Sequence, residues 1–473
     1  MALHAKLTRE IRTGPRGPKI AALFDLDQTL LAGFSATAFV RERLMSGRMS
    51  PRELYDSLLG ALSFGLGRTG FSGFMAASVA AYRGTAESSL VEIGDEVFEK
   101  SLATAIYPEA RALVRAHQEM GHTVGVVSSA TRYQVEPVAR DLGIEHVMCT
   151  RLEVENGIFT GKVIHPTCYG EGKADIALQL AADHDLDLDS SYFYTDSHED
   201  LPLLDLVGHP RPLNPNRQLA QIAKERGWPV RRFHSRGTPS VGEVVRSALV
   251  YGSLVPAAWA GVGAGLLNGS RREGVNVMAG IWGDLATSLA GIDLKVEGEE
   301  NLWSQRPAVF IFNHQSGIDM LLMIKLLRRD MTGVAKQEIK RNPIFGPLLQ
   351  AGGVAFIDRS DTKKAIEAMK PAVEALRQGL SLAIAPEGTR SSTPHIGAFK
   401  KGAFHIAMQA GVPIVPIVFR NALDALPKHG MVVRPAAIEV VVLPPIDTSD
   451  WTVEGLNEEI AHVRDLYMDV LEG

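Results

Sequence analysis

Residues 20–29 read IAALFDLDQT, a short apolar run that ends in two aspartates, Asp25 and Asp27. The run predicts a buried strand, and parallel α/β sheets bind ligands at the carboxyl ends of such strands. If a cation offsets the repulsion between anions, one carboxylate can attack a phosphate monoester while the other acts as general acid and base. We interpret Asp25 as the nucleophile and Asp27 as the acid/base, although a solvated loop would explain this motif if it stood alone.

Three further polar motifs follow in order, each behind an apolar run. Ser128, in VVSSAT, can hydrogen-bond phosphoryl oxygens, and Lys173, in YGEGK, offers a positive charge for a phosphate or for the nucleophile. Asp196 and Asp200, in YTDSHED, are hard oxygen ligands of the kind that Mg²⁺ binds, and Asp200 could instead cap a helix. The ordered set indicates phosphoryl transfer.

These motifs together resemble the haloacid dehalogenase superfamily, in its phosphoserine-phosphatase-like branch, over about the first 215 residues. The resemblance implies a Rossmann-like parallel sheet with a small helical cap, here at about residues 31–104. It implies Mg²⁺ as cofactor and a site of two groups of residues: Asp25, Asp27, Asp196 and Asp200 at the metal, and Thr29, Ser128 and Lys173 at the substrate.

One departure from that family concerns the substrate. Phosphoserine phosphatases carry a glutamate nine residues after the nucleophile, which reads the substrate's amino group, and this chain has Phe34 there. The cap also contains the apolar segments LLGALSFGLG and GFSGFMAASVAAY, which cap packing alone would explain equally well. We expect a lipid-derived phosphomonoester to be preferred over phosphoserine.

A second chemical motif lies in residues 308–319, AVFIFNHQSGID, where a predicted strand ends at Asn313 and is followed by His314 and Asp319. A spacing of five places two side chains about 140° apart on a regular helix, so His314 must precede the helix that carries Asp319. Asp319 could then fix the imidazole tautomer while His314 takes a proton from an acceptor hydroxyl. A structural histidine is the alternative.

Residues 385–391, APEGTRS, follow another predicted strand. The guanidinium of Arg390, beside a turn that Gly388 allows, suits bidentate capture of a phosphate. Further along, VPIVPIVF contains Pro413 and Pro416, and this predicts an edge strand or a loop because proline cannot donate to a sheet ladder.

These motifs resemble the glycerolipid acyltransferases, specifically the lysophosphatidate acyltransferase family, over about residues 245–473. The resemblance implies a charge-relay pair of His314 and Asp319, an acyl donor that is a thioester of coenzyme A or acyl carrier protein, and a lysophospholipid acceptor. It also implies a set of substrate-binding residues: Lys336, Arg359, Glu387, Gly388, Thr389 and Arg390.

No charged residue occurs between Arg246 and Arg271. The apolar centre, residues 248–267, would be roughly 30 Å long as a helix, enough to cross a bilayer. Glycines and Pro256 interrupt it, so a monotopic anchor, a span and a buried soluble helix all stay open. With the apolar stripe around Trp282, the segment predicts a membrane-associating helical hairpin at 246–290, after a polar linker at 217–245.

The whole chain has 473 residues and 45% hydrophobic content, enough for two cores. Its net charge of −5 makes nucleic acid a poor partner, and its two cysteines, Cys149 and Cys168, fit a reducing compartment. No apolar signal region precedes the first strand, so we expect a location on the cytoplasmic side of the cell membrane. A homodimer is left open.

The prediction is an α/β protein of two domains, a phosphatase at 1–216 and an acyltransferase at 291–473. The acyltransferase would convert 1-acylglycerol 3-phosphate into phosphatidic acid with acyl-CoA, beside an Mg²⁺-dependent phosphomonoester hydrolase. The alternative is an acyltransferase for another lipid or glycolipid acceptor, with the first domain binding phosphorylated ligands or acting as a scaffold.

Overall fold

The computed structural model describes residues 2–47, 71–341, 346, 350, 353–357 and 362–472. The chain divides into two compact units, Met1–Thr238 and Pro239–Gly473. Each unit has its own sheet with helices packed on it, which confirms the predicted α/β class and the two-domain organisation.

The first unit contains a six-stranded sheet in the order β4-β3-β2-β1-β5-β6. Its strands are β1 (Ala21–Phe24), β2 (Thr123–Thr131), β3 (His146–Glu155), β4 (Ile158–Ile164), β5 (Tyr192–Thr195) and β6 (His209–Pro212). All neighbours are parallel except β3 and β4, which form an antiparallel hairpin at one edge. The predicted parallel sheet is therefore confirmed, with one antiparallel edge strand added.

Among the described residues of this unit, the α-helices with at least four residues are α1 (Ala2–Thr13), α2 (Ser35–Met45), α3 (Phe71–Ala80), α4 (Glu87–Val97), α5 (Pro108–Glu119), α6 (Arg132–Asp141), α7 (Glu171–His184), α8 (Leu201–Leu204) and α9 (Arg217–Arg226). The described parts of the predicted cap, on either side of residues 48–70, include α2, α3 and α4. The cap segment LLGALSFGLG lies outside the described residues.

Strand β1 is apolar throughout because both faces of the sheet are covered. Ala22 and Phe24 enter one core cluster, whereas Ala21 and Leu23 enter the cluster on the opposite face. Alternate side chains of a strand point to opposite faces, so a doubly covered strand has to be apolar at every position. The first polar residue after it, Asp25, is thereby placed at the carboxyl edge of the sheet.

The predicted linker at 217–245 differs from the structure at both ends. Residues 217–226 form α9, whose first turn is capped by the Asn216 side chain, which accepts from the amide of Leu219 at 2.9 Å. Leu219 and Ala223 are one turn apart and fully buried. Because most of the surrounding residues are polar or charged, the sequence did not indicate this narrow buried stripe. At the other end of the predicted linker, the next helix begins at Val241 rather than at Arg246.

The second unit opens with three helices, α10 (Val241–Gly252), α11 (Leu254–Asn268) and α12 (Arg271–Ala290). Helices α11 and α12 form the predicted hairpin. Their backbones meet at Gly261 and Gly274, where a Cβ on Gly261 would lie 2.6 Å from the Gly274 carbonyl oxygen. Glycine therefore permits this close helix contact.

One helical stretch in the described part of the chain, Val241–Asn268, which joins α10 and α11 through Ser253, is long and apolar enough to cross a membrane. It has 28 residues, and its most apolar segment of 18 residues has a mean hydropathy of 1.4 and is 28% buried. Large apolar side chains on it face outward, including Trp259 and Leu267, which are 72% and 90% exposed. Such a patch on a monomer marks an interaction surface.

The second sheet has seven strands in the order β10-β9-β11-β8-β12-β13-β7. They are β7 (Ile292–Glu297), β8 (Val309–Phe312), β9 (Met331–Lys336), β10 (Ala355–Ile357), β11 (Ser381–Ile384), β12 (Ile414–Phe419) and β13 (Ala436–Val442). Only β12 and β13 are antiparallel. The remaining α-helices among the described residues are α13 (Asn301–Ser304), α14 (Asp319–Leu327), α15 (Thr362–Arg377), α16 (Gly402–Ala410) and α17 (Leu456–Glu472).

The prediction of an edge strand or loop around Pro416 is wrong, because β12 lies inside the sheet between β8 and β13. Pro416 pairs with Ile311 of β8, and its carbonyl accepts from the amide of Leu443. The antiparallel register with β13 starts only at Ile417 and Val442. The missing N–H of Pro416 therefore falls just outside that ladder.

Candidate active sites

The first candidate site begins where β1 ends. The Asp25 amide continues the β1–β5 ladder by donating to the Tyr194 carbonyl at 2.8 Å. Lys173, at the start of α7, donates to Asp25 Oδ1 at 2.7 Å and to Asp200 Oδ2 at 2.8 Å. All three side chains are buried. The structure thus brings together predicted residues from three separate segments of the chain.

Burial of so many charges changes their proton affinities. Burial raises the pKa of Asp25 to about 7, against the attraction of Lys173. Burial and the neighbouring Asp25 and Asp200 raise the pKa of Asp196 to about 8. For Lys173 burial works to lower the pKa, but Asp200 and Asp25 outweigh it and raise the pKa. The single positive charge of Lys173 therefore does not neutralise all the carboxylates of the site.

Asp27 faces a different direction. Its carboxylate accepts from the amide of Ser35 at 2.8 Å and from the Ser35 hydroxyl at 3.2 Å, at the start of α2. Burial raises the pKa of Asp27, although these hydrogen bonds oppose the shift. Gln134, at 3.4 Å from the Ser35 hydroxyl, extends this contact to α6. Sequence reasoning missed Ser35 and Gln134, since neither belongs to a recognisable motif.

The two predicted hydroxyl residues are both buried. Ser128 lies at the end of the buried part of β2, and its Oγ accepts from the Ala130 amide at 3.2 Å. The Thr29 hydroxyl has no hydrogen-bond partner among the described residues, and the residue is fully buried. Thr29 is thus enclosed with a free hydroxyl, and its contact with substrate stays a prediction.

Asp200 holds Lys173, and its assignment as a metal ligand stays a prediction. Its Oδ2 accepts from both Lys173 and the Thr195 hydroxyl, at 2.8 and 2.6 Å, so it fixes the lysine. Among the described residues no three His, Cys, Asp or Glu side chains enclose a cation by themselves. Mg²⁺ commonly uses one or two carboxylates plus waters and a substrate phosphate. Asp25 and Asp196, which repel each other, fit that smaller requirement.

The second candidate site lies at the carboxyl ends of the adjacent strands β8 and β11. His314 occupies the turn after β8, and α14 begins at Asp319, as the spacing predicted. His314 Nδ1 lies 2.8 Å from Asp319 Oδ2, which also accepts from the amides of Gln315 and Ser316 at 2.9 and 2.8 Å. With Nδ1–H donating to the carboxylate, Nε2 is left to accept a proton. Burial raises the pKa of Asp319, and the His314 hydrogen bond opposes this.

Asn313 supports this turn in a way that the sequence did not reveal. Its fully buried side chain accepts from the Phe419 amide and donates to the Phe419 carbonyl, both at 2.8 Å. These two bonds take the place of the next pair of backbone hydrogen bonds that β8 and β12 would otherwise form. The main chain is released from the sheet one residue before His314, which lets the imidazole turn towards Asp319.

The structure gives Glu387 a supporting position rather than the predicted contact with substrate. Its two oxygens accept from the amides of His314 and Gly397, at 2.7 and 2.8 Å. The Ser391 amide donates to the His314 carbonyl at 2.8 Å. Burial raises the pKa of Glu387, against these hydrogen bonds. Glu387 therefore joins the two motif loops.

The rest of the second loop remains available to a ligand. Gly388 has a φ of +74°, which explains glycine at this turn, and Thr389 is exposed. A terminal nitrogen of Arg390 lies 3.4 Å from where a Cβ on Gly317 would stand, inside the turn between His314 and Asp319. Arg390 thus lies against the turn that links His314 to Asp319.

Two predicted substrate contacts have no described side chain. Lys336 is the last residue of β9, and its side chain is not among those described. Arg359 lies outside the described residues altogether.

Known proteins match the two units separately. Residues 22–205 match the family model of haloacid dehalogenase-like hydrolases, and residues 293–420 match that of the acyltransferases. A 1-acyl-sn-glycerol-3-phosphate acyltransferase from Limnanthes alba is 38% identical over 194 residues, which are 41% of this chain and 68% of the relative.

Two bacterial relatives extend the comparison. A probable phosphatase from Mycobacterium tuberculosis is 37% identical over 231 residues, 47% of this chain and 77% of the relative. A protein named for inhibition of morphological differentiation, from Streptomyces azureus, is 34% identical over 269 residues, 55% of this chain and 96% of its own length. The chain therefore belongs to the haloacid dehalogenase-like hydrolases through its first unit and to the 1-acylglycerol-3-phosphate acyltransferases through its second, and it is an enzyme with a domain of each kind.

Proposed function

We propose that the chain is a bifunctional enzyme of phospholipid synthesis on the cytoplasmic side of a membrane. Its second unit transfers a fatty acyl group from acyl-CoA to 1-acylglycerol 3-phosphate and gives phosphatidic acid. Its first unit is an Mg²⁺-dependent phosphomonoester hydrolase. The observation that carries the proposal is the His314–Asp319 hydrogen bond of 2.8 Å, with Arg390 against the turn that links the two residues.

The acyl transfer follows from the orientation of His314. Nε2 accepts the proton of the acceptor hydroxyl while the hydroxyl oxygen bonds to the thioester carbonyl carbon. The carbon–sulfur bond then breaks, its electron pair goes to sulfur, and the imidazolium gives its proton to the leaving thiolate. Asp319 stays ionised and stabilises the imidazolium. Arg390 holds the acceptor's phosphate as a bidentate guanidinium can.

In the first unit Asp25 attacks the phosphorus atom, and the ester oxygen leaves with a proton from Asp27. Asp27 then takes a proton from the water that hydrolyses the aspartyl-phosphate. Lys173 stabilises the charge on Asp25 and on the phosphoryl oxygens. Asp25 and Asp196 would hold Mg²⁺, which when bound neutralises charge on the transferred phosphoryl group.

We predict that the exposed apolar side chains of α11 attach the protein to membranes. The variant Trp259→Gln with Leu266→Gln and Leu267→Gln replaces three side chains that are each at least 72% exposed, so folding should be retained. In flotation with phospholipid vesicles, wild type should rise with the lipid and the triple variant should stay behind, because about 2 kcal/mol of transfer energy is lost for each such side chain.

The matched control for this test replaces three exposed apolar residues of the first unit: Val91→Gln, Leu178→Gln and Val230→Gln. It should float like wild type, and both variants should keep full phosphatase activity. Flotation of the α11 variant at the wild-type level would refute the membrane role of this surface.

A further prediction concerns the phosphatase substrate. Phe34 is 58% exposed and directly precedes Ser35, which bonds the Asp27 carboxylate, so an apolar ring stands beside the acid/base. We expect kcat/KM for lysophosphatidate or phosphatidate to exceed that for phosphoserine by about tenfold or more, a difference that one apolar contact can provide.

Phe34→Glu should lower the preference for lipid phosphates, whereas Phe34→Leu should largely keep it. Phosphate release from each substrate measures both effects. Faster hydrolysis of phosphoserine than of any lipid phosphate by wild type would refute the lipid preference and leave the phosphatase chemistry intact.

A further inference from the structure

A second cation lies in the turn that carries Arg390. The amide of Lys400 donates to the Pro386 carbonyl at 2.8 Å, which folds the loop between them back on itself. The Lys400 side chain then crosses Gly388. A Cβ on Gly388 would lie 3.0 Å from Lys400 Nζ and 3.0 Å from its Cδ. The ammonium group therefore lies over Gly388, which precedes Arg390 by two residues in the same turn.

This ammonium group has no ion pair within the part of the chain that the structure describes. The adjacent carboxylate, Glu387, is buried and uses both oxygens for the amides of His314 and Gly397. Some exposed lysines have carboxylate partners, such as Lys19 with Asp185 and Lys100 with Glu42. Lys400 thus presents an uncompensated positive charge next to a predicted phosphate ligand.

Other basic residues add to the positive charge around Lys400 and Arg390. Leu426 packs against Gly317, and its carbonyl accepts from the Ser316 hydroxyl at 2.6 Å, which brings the loop after it to the same site. That loop carries Lys428 and His429. Burial, Lys428 and Arg390 all lower the pKa of His429, so the local surroundings disfavour further positive charge. A bound anion would reduce the repulsion between these positive charges.

The charge of the ligand points the same way. A phosphate monoester carries close to two negative charges at neutral pH, because its second pKa is about 6. One guanidinium neutralises only part of that charge, and a lysine adds a compact, mobile point charge that a planar guanidinium does not.

We infer that Lys400 binds the acceptor's phosphate together with Arg390 and so selects phosphate-bearing acceptors over phosphate-free ones. The inference rests on the proposed acyltransferase function. Coenzyme A also carries phosphates, and the same cation could meet those instead. The shared turn with Arg390 favours the acceptor. Loss of the charge should raise the KM for the acceptor in the first case and the KM for acyl-CoA in the second.

The test compares Lys400→Gln with Lys401→Gln, a neighbouring exposed lysine at the start of α16. Steady-state rates are measured with 1-acylglycerol 3-phosphate, with 1-monoacylglycerol as phosphate-free acceptor, and over a range of acyl-CoA concentrations. Lys400→Gln should raise the KM for 1-acylglycerol 3-phosphate by about tenfold, as loss of one charged hydrogen bond predicts. The rate with 1-monoacylglycerol, the KM for acyl-CoA and the Lys401→Gln variant should stay at wild-type values.

Lys400→Arg, which keeps the charge, should recover most of the lost affinity. An unchanged acceptor KM in Lys400→Gln, or a rise in the KM for acyl-CoA alone, would overturn the inference while the acyltransferase function stands. Failure of wild type to acylate 1-acylglycerol 3-phosphate would instead overturn the proposed function and the inference with it.

Discussion

His314→Ala is expected to lower kcat for acyl transfer by about 10³- to 10⁴-fold, because removal of a general base costs up to that much. The imidazole is the group that the turn, Asp319 and Asn313 jointly position. Release of free thiol from acyl-CoA in the presence of 1-acylglycerol 3-phosphate measures the rate. The phosphatase rate of the same preparation should equal that of wild type.

His462→Ala, an exposed histidine on the last helix, is the matched control and should keep full acyl transfer. Asp319→Asn should also lose most activity. The amide cannot accept from Nδ1–H with the strength of an anion, and the amides of Gln315 and Ser316 lose a charged acceptor. Acyl transfer by His314→Ala at a rate close to that of wild type would contradict the assigned role.

The second large effect is expected for Asp25→Asn in the first unit. An amide is not a nucleophile towards phosphorus, so hydrolysis of phosphomonoesters should fall by about 10⁴-fold or more. The fold should tolerate the change, since Lys173 keeps its 2.8 Å contact with Asp200. Release of inorganic phosphate from p-nitrophenyl phosphate with Mg²⁺ measures the loss.

The control for this variant is Asp183→Asn, an exposed position near the end of α7, the helix that also carries Lys173. It should hydrolyse phosphomonoesters like wild type. Acyl transfer should be unaffected by either change. Substantial phosphate release by Asp25→Asn would show that this carboxylate is not the nucleophile.

Much of both sites could be predicted because each reactive residue follows an apolar run. Parallel strands end at one edge of a sheet, so Asp25 and Asp196, which follow the neighbouring strands β1 and β5, had to lie close together. The five-residue spacing likewise excluded a shared helix for His314 and Asp319. These inferences need only strand order and helix geometry.

Other features depend on partners far away in sequence. The function of Asn313 follows from contacts with Phe419, and that of Glu387 from contacts with His314 and Gly397. Asp200 was predicted as a metal ligand beside Asp196, and the sequence did not reveal that one of its oxygens, Oδ2, accepts from Lys173 and Thr195. No local pattern encodes which of several carboxylates a lysine will reach.

The most direct test of two active sites in one chain is mass detection of products from purified protein. Wild type, His314→Ala and Asp25→Asn are each given acyl-CoA, 1-acylglycerol 3-phosphate, p-nitrophenyl phosphate and Mg²⁺. We predict p-nitrophenol and phosphatidic acid, with some of the lipid dephosphorylated, from wild type. His314→Ala should give p-nitrophenol and dephosphorylated lysolipid but no phosphatidic acid, and Asp25→Asn should give phosphatidic acid but neither p-nitrophenol nor dephosphorylated lipid. Absence of phosphatidic acid with folded Asp25→Asn, or loss of both activities in either single variant that is still folded, would contradict the account.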